Sequence, residues 1–172
     1  MKNLKSILLL FVFLLTLSCS QDNKSDNKIT QGAFPSVFII KDTDIAIKKT
    51  IVSAGTNLNL GVKVGIQAGD VASVDLVGFY TKGSTVTKGY FKKNITNFPF
   101  DYSFNQTDIF NTFSNIKLPA DIIVGNSMII TAEITLKNGN IIKIYNDNGT
   151  DAFGSGVKAA YPNYSLKYVV IN

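Results

Sequence analysis

Side chains that could do chemistry are few in this sequence. It contains no histidine, arginine or tryptophan, its only cysteine is Cys19, and its only glutamate is Glu133. The usual general base and the commonest metal ligand are therefore missing, and a zinc site of cysteine and histidine is excluded. Without the planar fork of arginine, specific recognition of nucleic acid is not expected either. We predict no cofactor and no nucleic-acid partner.

The carboxylates leave two kinds of chemistry to consider. The segment Asp147-Asn148-Gly149-Thr150-Asp151 is rich in oxygen ligands, but a calcium loop takes about six to eight oxygens, commonly from several carboxylates. Asn-Gly alone explains a turn, so calcium near Asp147 and Asp151 stays an alternative rather than a predicted site. No motif nominates a pair of carboxylates for hydrolysis, and nucleophile and phosphate-binding motifs are missing. We therefore predict no catalytic or metal-binding residues and a protein that is not an enzyme.

Cys19 directly follows a segment with the composition of an export signal. Lys2 and Lys5 precede an apolar run, residues 7–15, which leads into Ser18 and Cys19. Even about a dozen apolar residues would span only about 18 Å as a helix, well short of the roughly 30 Å hydrocarbon core of a bilayer. The segment therefore indicates a cleaved signal rather than a transmembrane helix.

The end of this segment resembles the lipobox of bacterial lipoproteins, in which a small residue precedes a cysteine that is acylated before cleavage. Ser18 and Cys19 match that pattern. The resemblance implies a signal peptide at 1–18 and a lipid anchor on Cys19. It also implies that the membrane is a partner and that the protein belongs to the cell envelope, at the periplasmic or surface face of the outer membrane. An ordinary secretory signal is the alternative.

Beyond the signal, the chain divides into a tether and one domain. Residues 19–32, the acylated cysteine and a polar stretch without periodicity, predict a flexible tether, and the polar residues 20–31 could reach about 40 Å when extended. Residues 33–172 are long enough for one domain with its own core and follow a period of two, which is clearest at 58–66 and 127–137. Further strands are predicted at 37–41, 45–52, 71–80, 86–91, 98–104, 141–145 and 166–171.

Turn signals between these strands predict the fold class. Asn138-Gly139 is a strong hairpin signal, and Gly69 and Gly83 mark other reversals. We predict an all-β fold, an antiparallel two-layer Ig-like sandwich with one short helical crossover, and a small barrel is the second choice. The crossover is expected at Thr107–Asn115, where Thr107 could cap the helix and Asp108 favours its first turn.

An aromatic row is the most conspicuous feature of the predicted strands. Phe98, Phe100, Tyr102 and Phe104 alternate with polar or small residues and so share one face. An exposed row of this kind could stack on sugar rings. Because three members are phenylalanine and tryptophan is missing, we predict a buried core strand instead.

Two stretches of the domain resemble recurring segments of small surface lipoproteins of the Bacteroidota. One is Phe98-Pro99-Phe100-Asp101-Tyr102-Ser103-Phe104 running into the predicted helix, and the other is Val124-Gly125-Asn126-Ser127 followed by residues 130–139. The resemblance implies an Ig-like or PKD-like sandwich of the kind found beside glycan-uptake machinery. Asn126 and Asn138 stand where aspartate is common in that group, and the motifs are structural, so they imply no binding residues.

We therefore expect a non-catalytic, membrane-anchored lipoprotein whose β domain binds a ligand or partner, either a glycan or an envelope protein, as an accessory to glycan uptake. A structural or assembly subunit of an envelope complex is the alternative, and a carboxylate-based hydrolase is the remote one. An exposed concave cluster of tyrosines would favour ligand binding, and an exposed apolar patch would favour a protein partner. The tyrosines in question are Tyr80, Tyr90, Tyr145, Tyr161 and Tyr164.

Overall fold

The computed structural model describes residues 32–172, so Cys19 and the predicted signal lie outside the described residues. The strands are β1 (Phe34–Ile39), β2 (Ile47–Lys48), β3 (Leu60–Ala68), β4 (Val71–Lys82), β5 (Thr85–Ile95), β6 (Phe100–Phe104), β7 (Ser127–Leu136), β8 (Ile141–Lys143) and β9 (Leu166–Ile171). The helices are α1 (Lys49–Ser53), α2 (Gln106–Thr112) and α3 (Ser155–Ala160), with a 3₁₀ helix at Pro119–Asp121. None of the described helices is long and apolar enough to cross a lipid bilayer.

The strands form two sheets that curve around a common core. The small sheet has the order β1-β3-β6, and the large sheet has the order β2-β9-β7-β4-β5, with β8 also paired to β7. Every pair of described strands is antiparallel except β2 with β9. At one side the sheets approach each other where Tyr102 Oη of β6 donates to the backbone oxygen of Phe91 on β5, at 3.3 Å. The predicted all-β, antiparallel class is confirmed, and the sheets curl as a half-barrel.

The period-two segments become strands because one face of each can be buried. On β3, Leu60, Val62 and Val64 are fully buried, whereas Lys63 points to solvent. Such side chains on the two sheets fill one core between them, and each contributes about 1.5–3 kcal/mol by leaving water. The predicted reversals at Gly69, Gly83 and Gly139 are also present, and all three glycines have positive φ.

Both faces of β4 are covered. Leu76 and Tyr80 pack into the core between the sheets. Val77 and Phe79 pack on the opposite face, where the chain after β8 returns and contributes Tyr145. The outer face of the large sheet is therefore shielded by the C-terminal part of the chain at this point.

The predicted crossover helix is present as α2, with a different cap. Asn105, not Thr107, is the N-cap, and its side chain accepts hydrogen bonds from the backbone nitrogens of Thr107 at 2.8 Å and Asp108 at 3.4 Å. Asp108 Oδ2 accepts in return from Asn105 N at 2.8 Å, which completes a capping box. The prediction of a single helix is wrong, because α1, α3 and the 3₁₀ helix also form.

The predicted strand at 45–52 is wrong beyond Lys48. Ile47 and Lys48 pair with Val170 and Ile171, where β9 ends. No strand continues beside the residues that follow Lys48. Their backbone groups therefore form hydrogen bonds within α1, which also buries Val52.

The aromatic row belongs to the core, as predicted. Phe104 is buried, and Phe98, Phe100 and Tyr102 are partly buried against the core between the sheets. Ser103 lies on the opposite, exposed face of β6. The row therefore stabilises the small sheet and does not form an exposed sugar-stacking platform.

Candidate functional site

The acidic loop considered for calcium is held by lysine contacts. Asp147 Oδ1 lies 2.6 Å from Lys88 Nζ and 3.0 Å from Lys143 Nζ, while Asp151 contacts Lys158. Hydrogen bonds from Lys88 and then Lys143 lower the pKa of Asp147. The two carboxylates therefore bind separate ammonium groups. Within residues 32–172, no three acidic or cysteine side chains are grouped in a way that could hold a metal ion.

Lys88 on β5 is the centre of a charged network on the outer face of the large sheet. Its Nζ lies 2.5 Å from Glu133 Oε1 on β7 as well as 2.6 Å from Asp147 Oδ1. Tyr90 Oη donates to Glu133 Oε2 at 3.0 Å, and Lys93 Nζ lies 4.0 Å from the centroid of the Tyr90 ring. Burial opposes the charge on Lys88, but hydrogen bonds to Asp147 and Glu133 outweigh it and raise the pKa of Lys88.

This network brings two carboxylates together without the arrangement that hydrolysis needs. Glycosidases hold their carboxyl groups about 5–10 Å apart with the scissile bond between them, and one group keeps a proton at neutral pH. Here the ammonium of Lys88 stands between Glu133 and Asp147, and the pKa of Asp147 is lowered rather than raised. The geometry is that of an ion-pair contact that fastens the loop to the sheet.

The tyrosines divide between three environments. Tyr80 is buried in the core between the sheets, and Tyr90 belongs to the charged network. The others lie in a partly buried aromatic cluster on the outer face of the large sheet, in which Phe34 and Tyr161 stack with ring centroids 4.8 Å apart. This cluster contains Phe34, Tyr145, Phe153, Tyr161 and Tyr164. It packs as a small second core, so it is not the exposed concave site that ligand binding through tyrosine would need.

An open depression of about 400 Å³ lies where β3, β6 and α2 meet. Leu58 and Phe104 are buried members of its lining, whereas Asn57, Asn59 and Ser103 are exposed. Exposed polar side chains around a depression are typical of a site for a polar ligand. The complete lining is Asn57, Leu58, Asn59, Ser103, Phe104, Asn105 and Asp108. We refer to this site as the polar depression.

The lining is held in place by contacts between three segments of the chain. Ser103 pairs with Gly61 in the β3–β6 ladder. The buried side chain of Gln106 joins α2 to the segment before β3, because its Oε1 accepts from Leu58 N and its Nε2 donates to Asn57 Oδ1, both at 2.8 Å. The capping box fixes the adjacent start of α2. Such supporting contacts hold the lining residues in fixed positions.

The charge of the polar depression favours hydroxyl and amide groups over anions. Asp108 is the carboxylate of the lining, and no lysine belongs to the lining. Among the residues described, Asp108 forms no ion pair. An unpaired carboxylate accepts hydrogen bonds from hydroxyl donors and repels a second negative charge.

The polar depression and the start of the domain lie at opposite ends of β3. Leu60 at the first end pairs with Phe104 in the lining, and Ala68 at the other end pairs with Phe34. For a strand of nine residues, these ends are about 26 Å apart at about 3.3 Å per residue. The polar depression therefore lies at the opposite end of β3 from the point at which the chain enters the domain.

Neither the polar depression nor the network at Lys88 was identified from sequence. The spacing of Asn105 and Asp108 matches a capping box and could have located the start of α2. Glu133 is the chain's single glutamate and lies within an alternating strand. The sequence therefore showed that its position is unusual, but it did not show that Lys88 is its partner. Comparison of the chain with known proteins adds nothing to this site, since no family model, curated protein or solved structure matches the chain.

Proposed function

We propose that this chain is a non-catalytic lipoprotein of the cell envelope whose β domain binds an uncharged, hydroxyl-rich ligand of the glycan class in the polar depression, as an accessory to glycan uptake. The observation that carries the proposal is the lining itself. It combines asparagine and serine side chains with the carboxylate of Asp108, whereas its two apolar residues are almost fully buried. These polar groups match the hydroxyls of a neutral sugar.

The anchor and the position of the polar depression support the same function. A lipid on Cys19 would hold the protein at a membrane, and residues 20–31 would provide a tether of about 40 Å when extended. The polar depression lies at the end of β3 opposite to the start of the domain. A tether of this length would let the polar depression stand clear of the lipid surface.

An Ig-like, two-layer sandwich is the finer architecture that we propose for the domain. It is supported by the apolar side chains of the small sheet, which share one core with Leu76, Met128 and Ile130 of the large sheet. The curl of the sheets and the parallel pairing of β2 with β9 are departures from a regular sandwich.

The ligand is tested by probing an array of neutral and acidic oligosaccharides with the intact chain in detergent, followed by calorimetry on the sugars retained. We expect neutral sugars to bind and uronate-containing or sulfated ones to be rejected. Ser103→Tyr places a large ring in the polar depression and should weaken binding at least about tenfold, since a clash of this kind removes more than about 1.4 kcal/mol.

Asp101→Tyr is the matched control for that experiment. Asp101 lies on the same strand and face, two residues before Ser103, and is not part of the lining. This variant should bind like the unmodified protein. Binding that is lost equally in both variants, or an array on which no neutral sugar is retained, would contradict the proposed site.

A structural or assembly role is the second candidate, and exposed apolar residues beside β9 favour it. Ile123, Val124, Val169 and Ile171 are each between 41% and 45% exposed. Gly125 N donates to Val170 O at 3.0 Å, which brings the two stretches side by side. Cross-linking in intact cells, with and without Val169→Lys, tests this role. A partner lost only in the variant would favour assembly over ligand binding.

A further inference from the structure

The buried side chain of Gln106 is held by hydrogen bonds to the segment before β3. Gln106 is only 8% exposed. Its Oε1 accepts from Leu58 N at 2.8 Å, and its Nε2 donates to Thr56 O at 3.2 Å. Because a backbone N–H only donates and a backbone carbonyl only accepts, these two contacts determine which end of the Gln106 amide is oxygen and which is nitrogen.

A further hydrogen bond of Gln106 orients Asn57, which belongs to the lining of the polar depression. Gln106 Nε2 also donates to Asn57 Oδ1 at 2.8 Å, so the oxygen of the Asn57 amide faces Gln106. The side chain of Asn57 is exposed, and its Nδ2 donates no hydrogen bond to any of residues 32–172. The group of Asn57 that remains available to a ligand is therefore a donor.

The other two asparagines of the lining are oriented by backbone groups directly. Asn105 Oδ1 accepts from Thr107 N and Asp108 N, which leaves Asn105 Nδ2 as a second donor. Asn59 Nδ2 donates to Asp42 O at 3.3 Å, which leaves Asn59 Oδ1 as an acceptor. The lining thus offers donors as well as acceptors. Hydroxyl groups match this mixture, because each of them can donate and accept.

We propose that Gln106 is a positioning residue that makes the polar depression select ligands with a hydrogen-bond acceptor at Asn57. The inference rests on the proposed function, since it concerns the same depression. Gln106 acts through Asn57 and not by contact with the ligand. Unlike Asn59 and Asn105, Asn57 takes its orientation from another side chain, so a residue at position 106 that cannot donate would let Asn57 turn its oxygen towards the ligand.

Gln106→Glu tests this orientation without a ligand. At about pH 8 the new carboxyl group is ionised, which Leu58 N favours by donating to it. The carboxylate has no N–H to donate, so Asn57 should rotate and donate its Nδ2 to position 106. NMR of the intact chain in detergent should show the Asn57 side-chain amide protons exchanging with water at least about threefold more slowly in the variant than in the unmodified protein. A merely structural role of Gln106 would lower stability and leave this exchange unchanged, so equal rates would overturn the proposal.

Asn57→Asp tests the donor itself and keeps the buried amide of Gln106. One carboxylate oxygen can still accept from Gln106 Nε2, whereas the other oxygen replaces the Nδ2 donor. Calorimetry with neutral hexasaccharides of glucose, of galactose and of mannose should show an affinity lowered about three- to tenfold, the effect of losing one hydrogen bond. Thr107→Asp is the charge-matched control, because Thr107 is exposed in the first turn of α2 and is not part of the lining. This control should bind like the unmodified protein.

The outcomes separate this inference from the proposed function. An affinity that is unchanged in Asn57→Asp, or lowered equally in Asn57→Asp and Thr107→Asp, would contradict the role of Gln106 and leave the polar depression as a sugar site. If the unmodified protein binds none of the three hexasaccharides, the proposed function fails, and the role of Gln106 in binding fails with it. The orientation of Asn57 is then decided by the exchange measurement alone.

Discussion

Lys88 and Glu133 join the two strands that flank β4, with Nζ and Oε1 2.5 Å apart across the outer face of the large sheet. Their side chains are only 14% and 11% exposed, so water screens this pair weakly. Both strands are also held to the loop after β8, because Asp147 binds the same ammonium group. One lysine thus couples β5, β7 and that loop.

Lys88→Met should therefore destabilise the protein strongly. Removing the ammonium leaves the carboxylate of Glu133 largely buried without its partner, and loss of one member of a buried pair costs about 3–5 kcal/mol. Lys143→Met is the control, because Lys143 is 43% exposed and should lose less than about 1 kcal/mol. Urea unfolding of both variants measures the difference. Equal losses would show that Lys88 is only a surface contact.

Acid should lower the free energy of unfolding because it protonates Asp121. Hydrogen bonds from Lys117 N, Lys82 Nζ and Leu118 N lower its pKa from 3.8 to about 2. Below pH 3.8 the unfolded chain binds the proton more readily than the folded one, so this stabilisation is complete above about pH 4 and is lost as the pH falls towards 2. Asp44 and Asp147, whose pKa values are also lowered, act with the same sign.

Asp121→Asn provides the measurement for this pH dependence. The variant should be less stable than the unmodified protein at pH 7, and the two should converge near pH 2 when unfolding is followed by urea titration at each pH. A difference that stays constant from pH 7 to pH 2 would show that the charge of Asp121 contributes nothing.

Local patterns were enough to predict most strands but not their partners. The alternation at 58–66 predicted which face of β3 is buried, because burial of one face is a property of neighbouring residues. The end of β2 depends instead on where β9 stops, more than a hundred residues later. The period-two pattern therefore predicted a strand that continues beyond Lys48, where the observed strand ends. The short helix α3 has no buried residue, so no apolar periodicity could reveal it.

The candidate site was harder to predict for the same reason. The polar depression is built from residues 57–59, 103–105 and 108, which the β3–β6 pairing and Gln106 bring together. Exposed asparagine and serine residues are also ordinary in loops, so their types alone did not separate a binding site from a turn.

Gly89→Ala should disturb the packing of α2 against β5. A Cβ at Gly89 would lie 2.5 Å from the backbone oxygen of Thr112, where α2 ends. Because backbone cannot move aside cheaply, we expect a loss of about 1–3 kcal/mol. Gly156→Ala in α3 is the control, since its added Cβ meets open space, and alanine favours a helix by about 1 kcal/mol. Thermal unfolding compares the two, and similar midpoints would contradict this close packing.

The proposed lipid anchor on Cys19 is tested by Cys19→Ala. Acyl chains are durable anchors only in combination, so a multiply acylated Cys19 would hold the protein at the membrane and its removal should release the protein. We expect loss of palmitate labelling and a shift from the membrane to the soluble fraction, whereas Ser20→Ala, the neighbouring control, should keep both. The polar depression should be unaffected, so the released variant should bind the same oligosaccharides. A Cys19→Ala protein that is still labelled and still sediments with membranes would show that the anchor lies elsewhere.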